Sequence, residues 1–330
     1  MSLPNWARAH GDPLFSALIR SRPEDFDVTE ELGFEFSGDG EHDYLFVEKT
    51  SANTEWVSLQ LAGHADVPAR DVGYAGLKDR YAVTRQWFSV PRWNSPDWNL
   101  HEVAGARLLE QARHNRKLRR GAHQSNRFRI VLRGELPAAA ELEQRLTRIN
   151  AKGVPNYFGK QRFGRGGANI ALAEQWAEGK RLPRHKRSFA ISAARSYLFN
   201  QELDERVREG TWNQLLAGDI ANLDGSGSIF AVTEPDAELI RRCLEMDVHP
   251  TGALLGEGST PSSVTAGHEG WLKALNNARV KPARRSLRLR IADLEWSASE
   301  DGLRLEFALP RGAFATSVLC EIAAVEDAPR

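Results

Sequence analysis

Cysteine is nearly absent from this sequence: Cys243 and Cys320 are the only two in 330 residues. That excludes a disulfide framework, and the nine histidines fall in no Cys/His spacing of a zinc site, so no metal is expected. No apolar run approaches the roughly 20 residues of a membrane helix. The opening MSLPNWARAHGDPLF lacks the basic, apolar, small-residue order of a secretory signal, so the expected location is cytoplasmic. No GxSxG elbow occurs, and Ser58 and His64 are not spaced as a hydrolase triad. Gly164-Arg-Gly-Gly167 lacks the GxGxxG spacing of a phosphate loop and reads as a turn. Glu24, Asp25, Glu30 and Glu31 are dispersed along an alternating run, so they read as solvated charge rather than a metal-binding nuclease set.

An excess of either charge is also missing, since 44 Lys/Arg balance 44 Asp/Glu. The distribution is uneven, however. His101 to Arg133 carries nine basic residues against two Glu, Lys152 to Tyr197 ten against two, and Arg279 to Arg290 six against none. Segregated charge of this kind fits either solvated helix faces or a basic surface for RNA. Tyr157, Phe158 and Phe163 lie among Lys160, Arg162 and Arg165, and flat rings among cations favour RNA, where bases stack and phosphates are neutralised. The RNA-binding candidates are Lys78, Arg116, Lys117, Arg119, Lys160 and Arg162.

A chain of this length, 41% hydrophobic, suggests two domains. Alternation predicts strands from Phe26, across Tyr44 to Val47, on both sides of Asp79, and through RFRIVLR to Arg133. A helix is predicted after an Asn53 or Thr54 cap, and another after Pro137 that stops near Gly153. Helical spacing marks Ile170 to Glu178 and Ser188 to Arg208; residues 218–235 read as turns and short strands, and Leu254 to Gly270 as loop. Strands return in SLRLRIADLEWS and LRLEFAL. Strands at both ends with helices between them indicate an α+β sheet domain interrupted by an insertion.

Asp79 lies in Gly76-Leu-Lys-Asp-Arg-Tyr-Ala-Val-Thr-Arg-Gln86, a polar turn between strand-like runs. Lys78 and Arg80 are expected to hold the acid ionised, with Tyr74, Tyr81 and Trp87 shielding it from water. The same residues also fit ordinary turn chemistry. The segment resembles the GxKDxxAxTxQ motif of the TruD family of tRNA pseudouridine synthases. RPEDFDVTEELGFEFSGDGEH, VPNYFGKQRFG with KRSFAISAARSYLFNQ behind it, and PRGAFATSV resemble the same family in the same order.

That resemblance implies a pseudouridine synthase-like core of mixed and antiparallel sheet with an inserted α/β (TRUD) domain. By motif matching the core is 1–151 plus 288–330 and the insertion 152–287. It implies an isomerase that converts uridine 13 in the D arm of tRNA, with no cofactor and no obligate protein or membrane partner. Asp79 matches the catalytic acid. Phe26, Asn126, Phe128 and Phe314 match substrate contacts, and an amide such as Asn126 can both donate to and accept from a pyrimidine. Taken alone, Asn126 reads as a turn residue and Phe128 and Phe314 as core packing, while for Phe26 a core aromatic and a base contact can both hold. Arg20 stands where Lys is the family pattern; its planar fork has a different reach and stays charged. A non-catalytic RNA-binding protein or chaperone using the same surface is the alternative reading.

Overall fold

The computed structural model describes residues 4–94, 96–98 and 105–329. The chain forms two compact units: Leu14–Ala139 with Ile291–Gly312 and Ala323–Arg330, and Met1–Pro13 with Ala140–Arg290 and Ala313–Ile322. They are called here the sheet unit and the helical unit.

In chain order the first elements are β1 (Ser16–Ile19), β2 (Phe26–Glu31), β3 (His42–Thr50), α1 (Thr54–Ala65), β4 (Gly73–Tyr74), β5 (Val83–Pro91), β6 (Ala106–His114) and β7 (Ser125–Leu132). Next come α2 (Ala139–Lys152), β8 (Val154–Pro155), α3 (Ala168–Ala177), α4 (Arg184–Arg208), β9 (Ile220–Leu223), β10 (Ile229–Ala231) and α5 (Ala237–Leu244). The rest are β11 (Val248–Leu254), α6 (Glu269–Asn277), β12 (Ala283–Ser286), β13 (Arg288–Leu289), β14 (Ala292–Ser299), β15 (Gly302–Pro310), α7 (Ala315–Leu319) and β16 (Ala324–Asp327).

The sheet unit is built on one eight-stranded sheet of order β14-β15-β7-β2-β5-β3-β6, with β4 added beside β5. Its pairings are antiparallel except β2 with β5, and a separate β1·β16 pair is parallel. The sheet is mixed and mostly antiparallel, as expected. Period-two burial explains β2: Phe26, Val28 and Glu30 face inward while Asp27, Thr29 and Glu31 are half-exposed. The same parity puts Leu45, Val47 and Lys49 inside β3. Helix α1 covers this core with Val57, Leu61, Ala62 and Ala65 against Leu45, Val47, Phe88 and Val90. Each such aliphatic group larger than alanine contributes roughly 1.5–3 kcal/mol on burial. Asn53 occupies the cap position of α1 with extended backbone but makes no side-chain capping bond.

Glu24 is exposed and Glu31 half-exposed, but the reading as solvated charge is corrected for the other two acids. Asp25 is buried against Arg133, 2.6 Å away, and Glu30 against Lys78, 2.7 Å away. Both are buried charges neutralised by a partner rather than surface acids.

The helical unit packs α3 on α4 through Ala173, Ala190, Ala193 and Ala194, with Phe163, Tyr197 and Trp271 filling the same core. Small residues allow close helix approach. Helix α4 starts at Arg184 rather than at the expected Ser188, because Pro183 sets a φ of −54° at its cap and the cations after it remain in solvent. A four-stranded sheet of order β10-β9-β11-β12 and helix α5 complete this unit. Helices α5 and α6 lie outside the expected elements. Helix α2 and residues 313–322 pack with this unit: Arg145 of α2 donates to the carbonyls of Glu321 (2.6 Å) and Asp12 (3.0 Å), and His10 meets the Gly153 carbonyl at 2.8 Å. Among the described residues no helix is long and apolar enough to cross a membrane.

Candidate active site

Asp79 sits in the segment joining β4 to β5, which is fastened to surrounding structure by side chains of the motif itself. The Gln86 amide donates to the Gly76 carbonyl at 3.2 Å and accepts from the Thr54 hydroxyl at 2.8 Å. Thr54 in turn accepts from the Lys78 amide at 3.0 Å. Below the loop, the Lys49 ammonium donates to the carbonyl of Asp79 at 3.0 Å and to that of Ala52 at 2.8 Å. Lys49 is 1% exposed, and burial pushes its ammonium down to about 8, with Asp79 opposing and Lys78 adding to the shift. These contacts leave the Asp79 carboxylate on the outside of a braced loop, with its side chain 56% exposed.

Its counter-charge is Arg20. Nη2 of Arg20 is 2.9 Å from Asp79 Oδ2, Nη1 is 2.6 Å from Asp327 Oδ1, and the guanidinium lies 4.1 Å above the Phe26 ring. The expected neighbours are placed otherwise. Lys78 turns inward to Glu30, and Arg80 donates to the Ser51 carbonyl and lies over Tyr81. Trp87 is buried against Phe36 and Phe46, while Tyr74 lies beneath Arg120. The carboxylate is therefore salt-bridged but open to solvent, not desolvated as expected.

Phe26 and Phe128 are both buried, edge to face with centroids 6.2 Å apart, and Phe128 stacks on Phe307 at 5.5 Å. Phe26 is thus the floor beneath Arg20. Asn126 is half-exposed on β7, opposite Glu30 of β2, and its Oδ1 accepts from Lys78 Nζ at 2.8 Å. The sheet unit thereby gathers Asp79, Arg20 and Phe26, and links Asp79's neighbour Lys78 to Asn126. His123 is buried near Lys78 and Glu30; burial lowers its pKa, helped by the Lys78 charge.

Lys78 is a correction among the RNA-binding candidates. Its side chain is 6% exposed and engaged by Glu30 and Asn126, so it presents no charge to a phosphate. Arg116 and Arg119 are exposed in the loop between β6 and β7, and Lys117 donates to the Arg70 carbonyl. In the helical unit Lys160 is exposed, whereas Arg162 is half-buried, bonded to Ser192 Oγ at 3.0 Å and lying 5.0 Å from the Phe158 ring and 5.9 Å from that of Phe314. Phe314 packs there against Phe158, with centroids 6.1 Å apart. Sequence reasoning missed Lys49 and Asp327 and gave Glu30 and Thr54 no part in the site, although Lys49 and Glu30 lie on the buried parity of their strands. Among the described residues no three His, Cys, Asp or Glu converge as a metal site.

The family model of tRNA pseudouridine synthase D (TruD) matches residues 9–173 and 171–322. Curated relatives named tRNA pseudouridine synthase D include one from Nitrosococcus oceani, 45% identical over 96% of this chain and 94% of its own length. Another, from Pseudomonas aeruginosa, is 46% identical over 96% and 92%. A solved structure described as tRNA pseudouridine synthase D from Methanosarcina mazei superposes with a TM-score of 0.74 at 20% identity, covering 98% of this chain and 97% of its own. That likeness speaks to the fold.

Proposed function

This chain belongs to the tRNA pseudouridine synthase D family, and on that premise we propose that it isomerises uridine 13 in the D arm of tRNA, with Asp79 as the catalytic carboxylate. The observation that supports the reading best is an accessible Asp79 carboxylate on a braced loop with the Arg20 guanidinium 2.9 Å away. Pseudouridine formation breaks the bond from C1′ to N1, turns the uracil and joins C1′ to C5. The C5 proton leaves and N1 gains one, so atoms and oxidation state balance and the chemistry needs no cofactor. A fixed carboxylate suits this reaction because positive character develops on the ribose as the glycosidic bond opens. Arg20 keeps the acid aimed and offsets its charge.

In this proposal the sheet unit is the catalytic domain and the helical unit contains the TRUD insertion. Phe26, Phe128 and Asn126 of the sheet unit serve the base, and Phe314 keeps the substrate-contact role that its motif implies. Arg116, Lys117, Arg119, Lys160 and Arg162 serve tRNA binding, in the cytoplasm where tRNA is found. The test is chemical mapping of pseudouridine in an unmodified tRNA transcript incubated with the protein alone, beside Asp79→Ala. One new pseudouridine at position 13, absent with the variant although RNA binding persists, supports the reading. Binding by both proteins without modification by either overturns it in favour of a non-catalytic RNA-binding protein.

A further inference from the structure

The Glu30–Lys78 pair is costly to bury. Glu30 is 0% and Lys78 6% exposed in their side chains, 2.7 Å apart. An apolar pair of similar size fills such a space at equal or better stability, so stability alone does not explain the charges. Their placement does. The second carboxylate oxygen of Glu30 accepts from the Trp87 amide at 3.2 Å, anchoring the acid to β5. Glu30 then holds the Lys78 ammonium against Asn126, its direct cross-strand neighbour.

An ammonium only donates, so the atom of the Asn126 carboxamide facing it at 2.8 Å must be the oxygen. An asparagine amide has two nearly isosteric orientations, and here an obligate donor selects one of them. The Nδ2 group is left pointing away from Lys78 and makes no hydrogen bond among the described residues. Asn126, able in principle to donate and accept, is thus set to donate outward.

We infer that the buried Glu30–Lys78 pair is a positioning device that fixes Asn126 as a donor to a carbonyl oxygen of the target uracil. This rests on the synthase reading and deepens it. Lys78 and Glu30 are positioning residues, acting on the base through Asn126. Because Lys78 directly precedes Asp79, one side chain also couples the alignment of the base to the loop that carries the acid.

The experiment is a mutant cycle on the full chain, pairing Glu30→Leu/Lys78→Met, which removes both charges together, with Asn126→Ala. Single-turnover rates are measured on the tRNA transcript, and melting temperature is followed in parallel. The charge-free protein should fold with a melting temperature lowered by the loss of the Trp87 amide's acceptor, and lose about 10-fold or more in rate, a donor to reacting substrate being worth at least that much. Asn126→Ala should cost a similar factor alone and nothing further in the charge-free background. Transcripts with 2-thiouridine or 4-thiouridine at the target, each a weaker acceptor, should slow wild type at one of the two positions and leave the charge-free protein indifferent. Wild-type rate in the charge-free protein, or losses that multiply independently, overturns the inference. Should that protein not fold, Glu30→Gln/Lys78→Met keeps an acceptor for the Trp87 amide. If wild type itself makes no pseudouridine, the synthase reading fails instead, and the Asn126 side-chain amide protons still test the positioning. Two resolved, slowly exchanging resonances that merge in the charge-free protein support it, and unchanged resonances overturn it.

Discussion

Arg20 and Asp79, 59 residues apart in sequence, meet with Nη2 2.9 Å from Oδ2. The guanidinium is fixed on two further sides, by Asp327 at 2.6 Å and by the Phe26 ring at 4.1 Å. Arg20 reaches this position from a left-handed backbone, φ +57°, which costs a non-glycine residue on the order of 1 kcal/mol. A planar fork can satisfy two carboxylates and still lie flat on a ring, which a lysine ammonium cannot.

Arg20→Lys should therefore keep part of the function that Arg20→Ala loses. A charge-assisted hydrogen bond is worth about 1.5–3 kcal/mol, or roughly 10- to 100-fold in rate. The alanine variant should fall by that factor in single-turnover rate and the lysine variant by less, with tRNA affinity nearly unchanged in both. Equal rates for Arg20→Lys and Arg20→Ala would show that charge at this position contributes nothing to the chemistry.

Much of the sheet unit was legible because strands with one buried face carry their parity in sequence. Phe26, Val28 and the run through Phe128 and Ile130 announced β2 and β7, and Asn53 marked the start of α1. The same parity contained Glu30 and Lys49. They were passed over because a charged residue reads as exterior unless its partner is known, and the partners come from elsewhere in the fold. Lys78 shows the converse limit: adjacency to Asp79 implied a shared role on the surface, but side-chain direction in an irregular loop depends on contacts made 48 residues away in both directions. The pairing of β1 with β16, which brings Asp327 to Arg20, left no local trace. Helix α5, only eight residues long, is too short for periodicity to distinguish it from a turn.

Glycine in the motif suggests that Gly76 permits the turn, yet its backbone is not left-handed. A methyl group there would come no closer than 3.8 Å to His123 and 4.0 Å to Lys78. At Gly73 the same methyl would meet the Leu118 carbonyl at 2.3 Å and Ser89 Oγ at 2.5 Å. Gly73→Ala should therefore destabilise the protein by about 1–3 kcal/mol through overpacking against backbone. Gly76→Ala should stay within about 1 kcal/mol of wild type. Denaturant titration of the two variants decides; the reverse order would mean that the loop is strained at Gly76 after all.

Lys49 gives the stability a pH dependence whose sign follows from burial. Its ammonium is held by the carbonyls of Asp79 and Ala52, and its pKa falls from 10.5 to about 8 on folding. Below pH 8 the lysine is charged in both states, and folding bears the cost of burying that charge. As pH rises from 8 toward 10.5 the folded protein releases the proton while the unfolded chain retains it. The unfolded state then binds more protons, and stability rises with pH. Titration of other groups cancels when wild type is compared with Lys49→Met, which cannot titrate at this position. The stability of wild type relative to Lys49→Met should increase by about 2 kcal/mol between pH 7 and pH 10. Urea melts of both proteins in the same buffers measure this difference. A difference that stays constant across the range would show that Lys49 keeps its proton throughout, held by the Asp79 charge against burial.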